Sequence, residues 1–163
     1  MDLTPTLPLS FAATAQVRDT CLCLHTQRAA RVLARRFDEV LRPVGLTNGQ
    51  FSLLNGLNRP SPASISDLSV LLGADRTTLT AALKPLVRQG LATISVEAGD
   101  RRGRRVALTP LGHARLAAAL PLWIAAHGRL EMELALADPV DANPARLRRD
   151  LKTLAKPQVE AAQ

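Results

Sequence analysis

Between Asp75 and Gln89 the apolar positions Leu79, Ala82, Leu83, Leu86 and Val87 fall at i, i+3, i+4, i+7 and i+8, the spacing of one buried helix face. The opposite face shows Arg76, Thr77, Thr80, Ala81, Lys84 and Arg88, with no acid among them. Just upstream, Ser64 followed by Asp67 is a capping-box variant opening an apolar-periodic run to Leu72; Gly73 stops that run and Asp75 caps the next helix. The pattern predicts two short helices joined by a tight turn. After Gly90 the period changes from helical to alternating, with Ile94 and Val96 and then Val106 and Leu108 separated by polar neighbours, which predicts a hairpin over 91–109. Its connection, Ala98 to Gly103, brings Arg101 and Arg102 next to Arg104 and Arg105.

Elsewhere the periodicity is helical. Residues 1–14, with Pro5 and Pro8, read as an extended N-terminal arm. One long helix is predicted from Ala15 to Leu41, ended by Pro43 and Gly45, and a second from Thr47 to Leu57. Past the hairpin, Thr109-Pro110 opens a helix towards Leu136 with an expected kink at Pro121, and Asn143-Pro144 opens a last one carrying Leu147, Leu151 and Leu154. The expected fold is mainly α with a small β-wing. It is a winged helix-turn-helix (46–109) flanked by N- and C-terminal dimerisation helices (15–45 and 110–157), a single domain overall. The apolar faces of the flanking helices exceed what so small a unit needs. A second copy is the natural cover, and a twofold dimer reads two half-sites where one recognition helix reads a few base pairs.

Charge narrows the partner. The 163 residues carry a net charge of +7, with a pI near 10.9, which favours a polyanion. With no tyrosine, one tryptophan and three phenylalanines there is little to stack on unpaired bases, so double-stranded DNA is the expected partner. Arg76, Thr77, Thr78 and Thr80 lie in the first turns of the outer helix, where side chains reach base edges. Lys84 and Arg88 lie further along and favour phosphates, and Arg101, Arg102 and Arg104 arm the wing. No secretory signal or bilayer-length apolar run is visible, so a soluble, cytoplasmic protein is expected, with no membrane partner and with Cys21 and Cys23 as thiols.

Several stretches together resemble the MarR family of bacterial transcription regulators. They are Leu46-Thr-x-x-Gln-Phe51, Asp75-Arg-Thr-Thr-Leu-Thr80, Leu83-Lys-Pro-Leu86, Gly90-Leu91, Asp100-Arg-Arg-Gly-Arg104 and Leu108-Thr-Pro-Leu-Gly112. The resemblance covers about residues 20–155. It implies a triangular homodimer on palindromic operators, with repression relieved by a small phenolic or aromatic acid or by oxidation. It also implies that Arg102 enters the minor groove, that Asp100 orients the wing arginines, and that a ligand pocket exists for which Phe51, Trp123, His25 and Arg28 are candidates. A narrower resemblance links the spacing from Cys23 to Leu46-Thr47 with the oxidation-sensing OhrR branch, Cys21 being a candidate resolving thiol. The tyrosines of that branch are replaced here by Gln27, Phe37 and Asn48, and the reading of both cysteines as ordinary small residues of a first helix stays open.

Two other classes compete. His25, His113 and His127 are scattered, and no zinc-protease, Cys-x-x-Cys or nucleophile-elbow pattern is present, so no catalysis, cofactor or metal is expected. A winged helix also serves as a protein-interaction module, but such a wing has no need of four arginines.

Overall fold

The computed structural model describes residues 10–156 except 98 and 99, and leaves aside the side chains of residues 97 and 100–102. Contacts group the chain into two compact units, Met1–Arg36 and Phe37–Gln163, each taken by itself.

In the first unit, α1 (Phe11–Thr20) starts at Ser10, whose hydroxyl accepts the Ala13 N–H at 3.2 Å. Cys21 ends it in an extended conformation (ψ 104°) and its Sγ accepts the Leu24 N–H at 3.4 Å, so one residue closes α1 and opens α2 (Leu22–Leu41). Two expectations change here. Residues 11–14 are helical, not arm, and the single helix from Ala15 to Leu41 is broken at Cys21. Neither proline nor glycine marks the break, so it had no signal of the usual kind.

In the second unit, the last turn of α2 buries Phe37 and Leu41, and a 3₁₀ turn (Arg42–Val44) ends at Gly45, whose φ of 68° is left-handed. Next comes α3 (Asn48–Leu57), held by a Thr47–Gln50 capping box and by Asp38, whose Oδ1 accepts the Asn48 N–H at 2.7 Å. The short strand β1 (Ala63–Ser64) leads into α4 (Ile65–Leu72), which has the expected Ser64–Asp67 capping box and stops at Gly73 with φ 60°. Then follow α5 (Arg76–Arg88), β2 (Ala92–Glu97) and β3 (Asp100–Leu108). The sheet is antiparallel in the order β1-β3-β2, with Ala63 and Ile94 both opposite Val106 and a register shift between Val96 and Glu97.

The apolar faces of α3, α4 and α5 close on the sheet. Leu54, Leu68, Leu79, Leu83, Leu86, Leu91 and Val106 are all buried, with the largest exposure among them 2%. On the hairpin, by contrast, Ile94 and Val96 are exposed, so its alternation is satisfied on β3 but not on β2.

The start of α6 (Pro110–Ala137) is tied to the base of the hairpin. The Thr109 hydroxyl donates to the Gly90 carbonyl at 2.6 Å and accepts the Gly112 N–H at 3.0 Å. Gly112 is buried so closely that a Cβ there would lie 2.0 Å from the Leu91 carbonyl oxygen, inside any tolerable contact. The helix continues without interruption past Pro121. The last helix, α7 (Pro144–Leu154), is capped by Asn143 and linked to α6 by the Arg148–Glu131 ion pair. It buries no residue.

Candidate nucleic-acid interface

The helix-turn-helix stands on α4 and α5, and local sequence sets the aim of α5. Asp75 accepts the Thr78 N–H at 2.8 Å through Oδ1 and the Thr78 hydroxyl at 2.6 Å through Oδ2. The Thr78 hydroxyl and then its backbone N–H hold the Asp75 carboxyl below its ordinary value of 3.8. With Leu79, Leu83 and Leu86 locked into the core, the opposite face must point outward. Arg76, Thr77, Thr78, Thr80, Lys84 and Arg88 are all exposed, as the helical spacing predicts.

The threonines are not equivalent. The Thr78 hydroxyl is engaged by Asp75, and the Thr80 hydroxyl donates back to the Arg76 carbonyl at 2.7 Å. The Thr77 hydroxyl has no partner among the described residues, which leaves both its donor and its lone pairs to an outside group. Arg76 is steadied by a contact of 3.3 Å from its Nη2 to Ser66 Oγ on α4, a residue that periodicity alone did not single out.

Electrostatics agree with an anionic partner. Among the described residues, Arg76, Lys84, Arg88 and Arg104 have no carboxylate within ion-pair distance, although ion pairs do form elsewhere, at Arg18–Asp19 and Arg146–Asp150. Four exposed cations without a counter-charge among the described residues lie on α5 and on β3, the strand of the wing. Asp100, Arg101 and Arg102 fall in β3 by backbone, but their side chains lie outside the described residues, so the roles implied for them by resemblance are not addressed by the geometry.

The other candidates fall in different places. Phe51 and Trp123 come together, with ring centroids 6.1 Å apart and planes inclined by 26°, and line a cavity of about 430 Å³ with Asn55, Leu71 and Leu120. Trp123 also stacks on His127 at 4.5 Å. Asn55, Leu71 and Leu120 were not legible as lining, because they sit on three different helices. His25 and Arg28 lie in the first unit, where His25 Nε2 is 3.1 Å from the Asp19 carbonyl oxygen and Arg28 is exposed.

Cys23 is exposed and its Sγ receives the Gln27 side-chain amide at 3.1 Å, while Arg31 donates to Gln27 Oε1 at 3.1 Å. So the glutamine standing where the OhrR branch has a tyrosine does supply a donor. An amide is, however, a far weaker acid than a phenol.

A helix-turn-helix with a basic outer helix, followed by a basic hairpin, defines a winged-helix protein. A family profile described as MarR family matches residues 44–103. The structure is similar to that of the M. tuberculosis transcriptional regulator MosR in complex with DNA, with a TM-score of 0.69 and 37% identity over 83% of this chain and 93% of that one. It is also similar to a mutant MarR from E. coli complexed with operator DNA, with a TM-score of 0.71 and 25% identity over 85% and 96%. The transcriptional activatory protein BadR of Rhodopseudomonas palustris is 31% identical over 88 residues, 52% of this chain and 50% of that protein. The chain thus spans about half the length of that curated relative. It belongs to the MarR family, whose members are transcription regulators and not enzymes.

Proposed function

We propose that the protein is a cytoplasmic homodimer that binds palindromic double-stranded DNA sequence-specifically and represses transcription until a small aromatic or phenolic ligand releases it. The observation that carries DNA binding is the outer face of α5, where Arg76, Lys84 and Arg88 are exposed and have no described carboxylate partner while Leu79, Leu83 and Leu86 fix the helix to the core. Support comes from MosR and MarR, both solved with DNA, and from CouR, named a transcriptional repressor and bound to a 23-mer duplex, at 26% identity and a TM-score of 0.69. The dimer is supported by the apolar residues left outside, among them Leu147, Leu151 and Leu154 of α7. The ligand reading rests on the cavity beside Trp123, whose volume of about 430 Å³ suits a small molecule and whose walls offer two aromatic faces.

Salt dependence tests the central part. Each phosphate neutralised contributes a slope of about −0.9 to log affinity against log salt, so a dimer making several such contacts should lose binding steeply between low and physiological salt. Binding to a duplex that hardly changes with salt, or that is equal for a selected palindrome and a random duplex, would reject the reading in favour of a protein-interaction module. A reporter gene behind the selected palindrome tests the sign of regulation. Repression predicts higher expression when the protein is absent.

A further inference from the structure

Arg76 opens α5, where helical spacing alone sends its side chain to base edges, yet its guanidinium lies back against α4, with Nη2 donating to Ser66 Oγ at 3.3 Å. We propose that Ser66 is a positioning residue for DNA binding. It turns Arg76 from the bases to the DNA backbone, and the two side chains clamp one phosphate from two helices while Thr77 is left to read base edges. This rests on the DNA-binding reading above, and adds to it which side chain at the start of α5 positions and which specifies.

The turn between the helices holds Ser66 and Arg76 on a stiff frame. The Ser69 hydroxyl donates to the Ala74 carbonyl, and the Ala74 N–H donates to the Ser69 carbonyl at 3.2 Å, so the end of α4 and the residue before the Asp75 cap are tied in both directions. Between them Gly73 takes the left-handed turn, with φ 60°. Leu68 on α4 and Leu79 on α5 are buried in the same core, which keeps either helix from rolling. The reach from Ser66 to the Arg76 guanidinium is therefore set by packed backbone on both sides.

Charge decides what the pair takes. The two acids nearest in sequence are engaged elsewhere, Asp67 Oδ2 accepting the Ser64 N–H at 3.1 Å and Asp75 accepting from Thr78 through both oxygens. Ser64 chiefly, and then the charges of Arg59 and Arg105, hold the Asp67 carboxyl below its ordinary value of 3.8, so this end of α4 stands in a positive field. Arg76 gives one N–H to a neutral hydroxyl and keeps its full charge and its other donors. Ser66 accepts that N–H through a lone pair, which leaves its own O–H to donate. A hydroxyl and a guanidinium side by side suit one phosphodiester, whose oxygens accept from both and carry the opposite charge. A guanine edge fits less well, because bidentate contact needs two parallel N–H groups on an arm extended into the groove, and here Nη2 is held at α4.

The test uses the full-length protein and its selected palindrome, with single base-pair variants of that duplex and a set in which one phosphate at a time is a neutral methylphosphonate. Arg76→Met should weaken every base-pair variant by the same factor, about tenfold or more, and flatten the salt slope by about 0.9 for each phosphate no longer neutralised. One methylphosphonate position per half-site should weaken the wild type and have no further effect on Arg76→Met. Ser66→Ala should give a smaller loss at that same position, Ser66→Thr should restore binding, and the losses from Ser66→Ala and Arg76→Met should not multiply when combined. The melting temperature of Ser66→Ala should match the wild type, because Ser64 and not Ser66 caps α4. Loss of discrimination at a single base pair in Arg76→Met, with no silent methylphosphonate position, would return Arg76 to the bases and overturn the clamp alone. Losses that multiply, or a melting temperature that falls with affinity in Ser66→Ala, would also overturn it. A wild type that binds the palindrome no better than a random duplex would overturn the DNA reading and the clamp with it.

Discussion

Helices α5 and α7 carry the same apolar spacing and meet opposite fates. Leu79, Leu83 and Leu86 on α5 and Leu147, Leu151 and Leu154 on α7 both follow i, i+4, i+7, and both helices surround that stripe with basic residues. The α5 leucines are at most 2% exposed, whereas those of α7 are between 42% and 63% exposed. Periodicity therefore tells which face of a helix wants cover, and says nothing about where the cover comes from. For α5 it comes from α3, α4 and the sheet of the same chain. For α7 the proposed source is a second copy, and the same physics that makes α5 a fixed reading head would make α7 a joint between molecules.

The sharpest way to break this comparison is to cut the same methyl groups from each stripe. Leu83→Ala should cost about 2–5 kcal/mol of unfolding free energy, because Leu83 is fully buried and leaves a cavity. Leu151→Ala, measured in dilute solution where the monomer dominates, should stay within about 0.5 kcal/mol. Equal losses in urea denaturation would mean that α7 is as firmly cored as α5.

The outer faces should separate next. Thr77→Ala should cost about 1–3 kcal/mol of discrimination at one base pair, while Lys84→Ala should weaken all duplexes alike and reduce the salt slope by about one unit. Arg149→Ala on the exposed face of α7 should leave duplex affinity unchanged. A gel-shift series over single base-pair variants of the selected operator decides it, and a uniform loss for Thr77→Ala would displace that residue from the base edges.

A chain ending before Asn143 should form dimers at least about tenfold more weakly, equivalent to about 1.4 kcal/mol. Sedimentation at micromolar concentration is the check, and an unchanged boundary would assign the dimer to other helices.

The smallest expected effect lies in the caps. Asp75 on α5 titrates and Asn143 on α7 does not. Because Thr78 lowers the folded-state pKa of Asp75, its stabilising effect is complete above the ordinary value of 3.8 and is lost as pH falls through the lower folded value. Asp75→Asn should flatten part of the acid-side fall in melting temperature between pH 5 and the acid limit; Asp67, lowered by Ser64, and Asp19, lowered by Arg18, act in the same sense. An identical fall in both proteins would remove Asp75 from the acid transition.

Those elements announced by local chemistry were legible in advance. Ser64 with Asp67, Gly73, and Asp75 each act within a turn of themselves, so both helices of the helix-turn-helix have the ends their residues dictate. The break at Cys21 was not legible, since a thiol rarely substitutes for an oxygen cap. Nor was β1, whose two residues are too few to show a period and exist as a strand only because β3 lies beside them. The site was legible where it depended on one helix and illegible where it depended on distance. The outward row from Arg76 to Arg88 follows from spacing, but the contact from Arg76 to Ser66 crosses from one helix to another, and nothing in either neighbourhood points to the other.

The clasp at Gly112 turns α6 into a lever. Its 28 residues make a rod of about 42 Å, and at its near end the Thr109 and Gly112 contacts leave no slack against the base of the hairpin. A tilt of about 5° over that length would displace one end relative to the other by roughly 4 Å, about the rise of one base-pair step. In a pair of such chains joined at the far ends of α6, the two wings would be tuned in opposite directions by the same small angle, and the spacing between half-sites would be written in the slope of that rod.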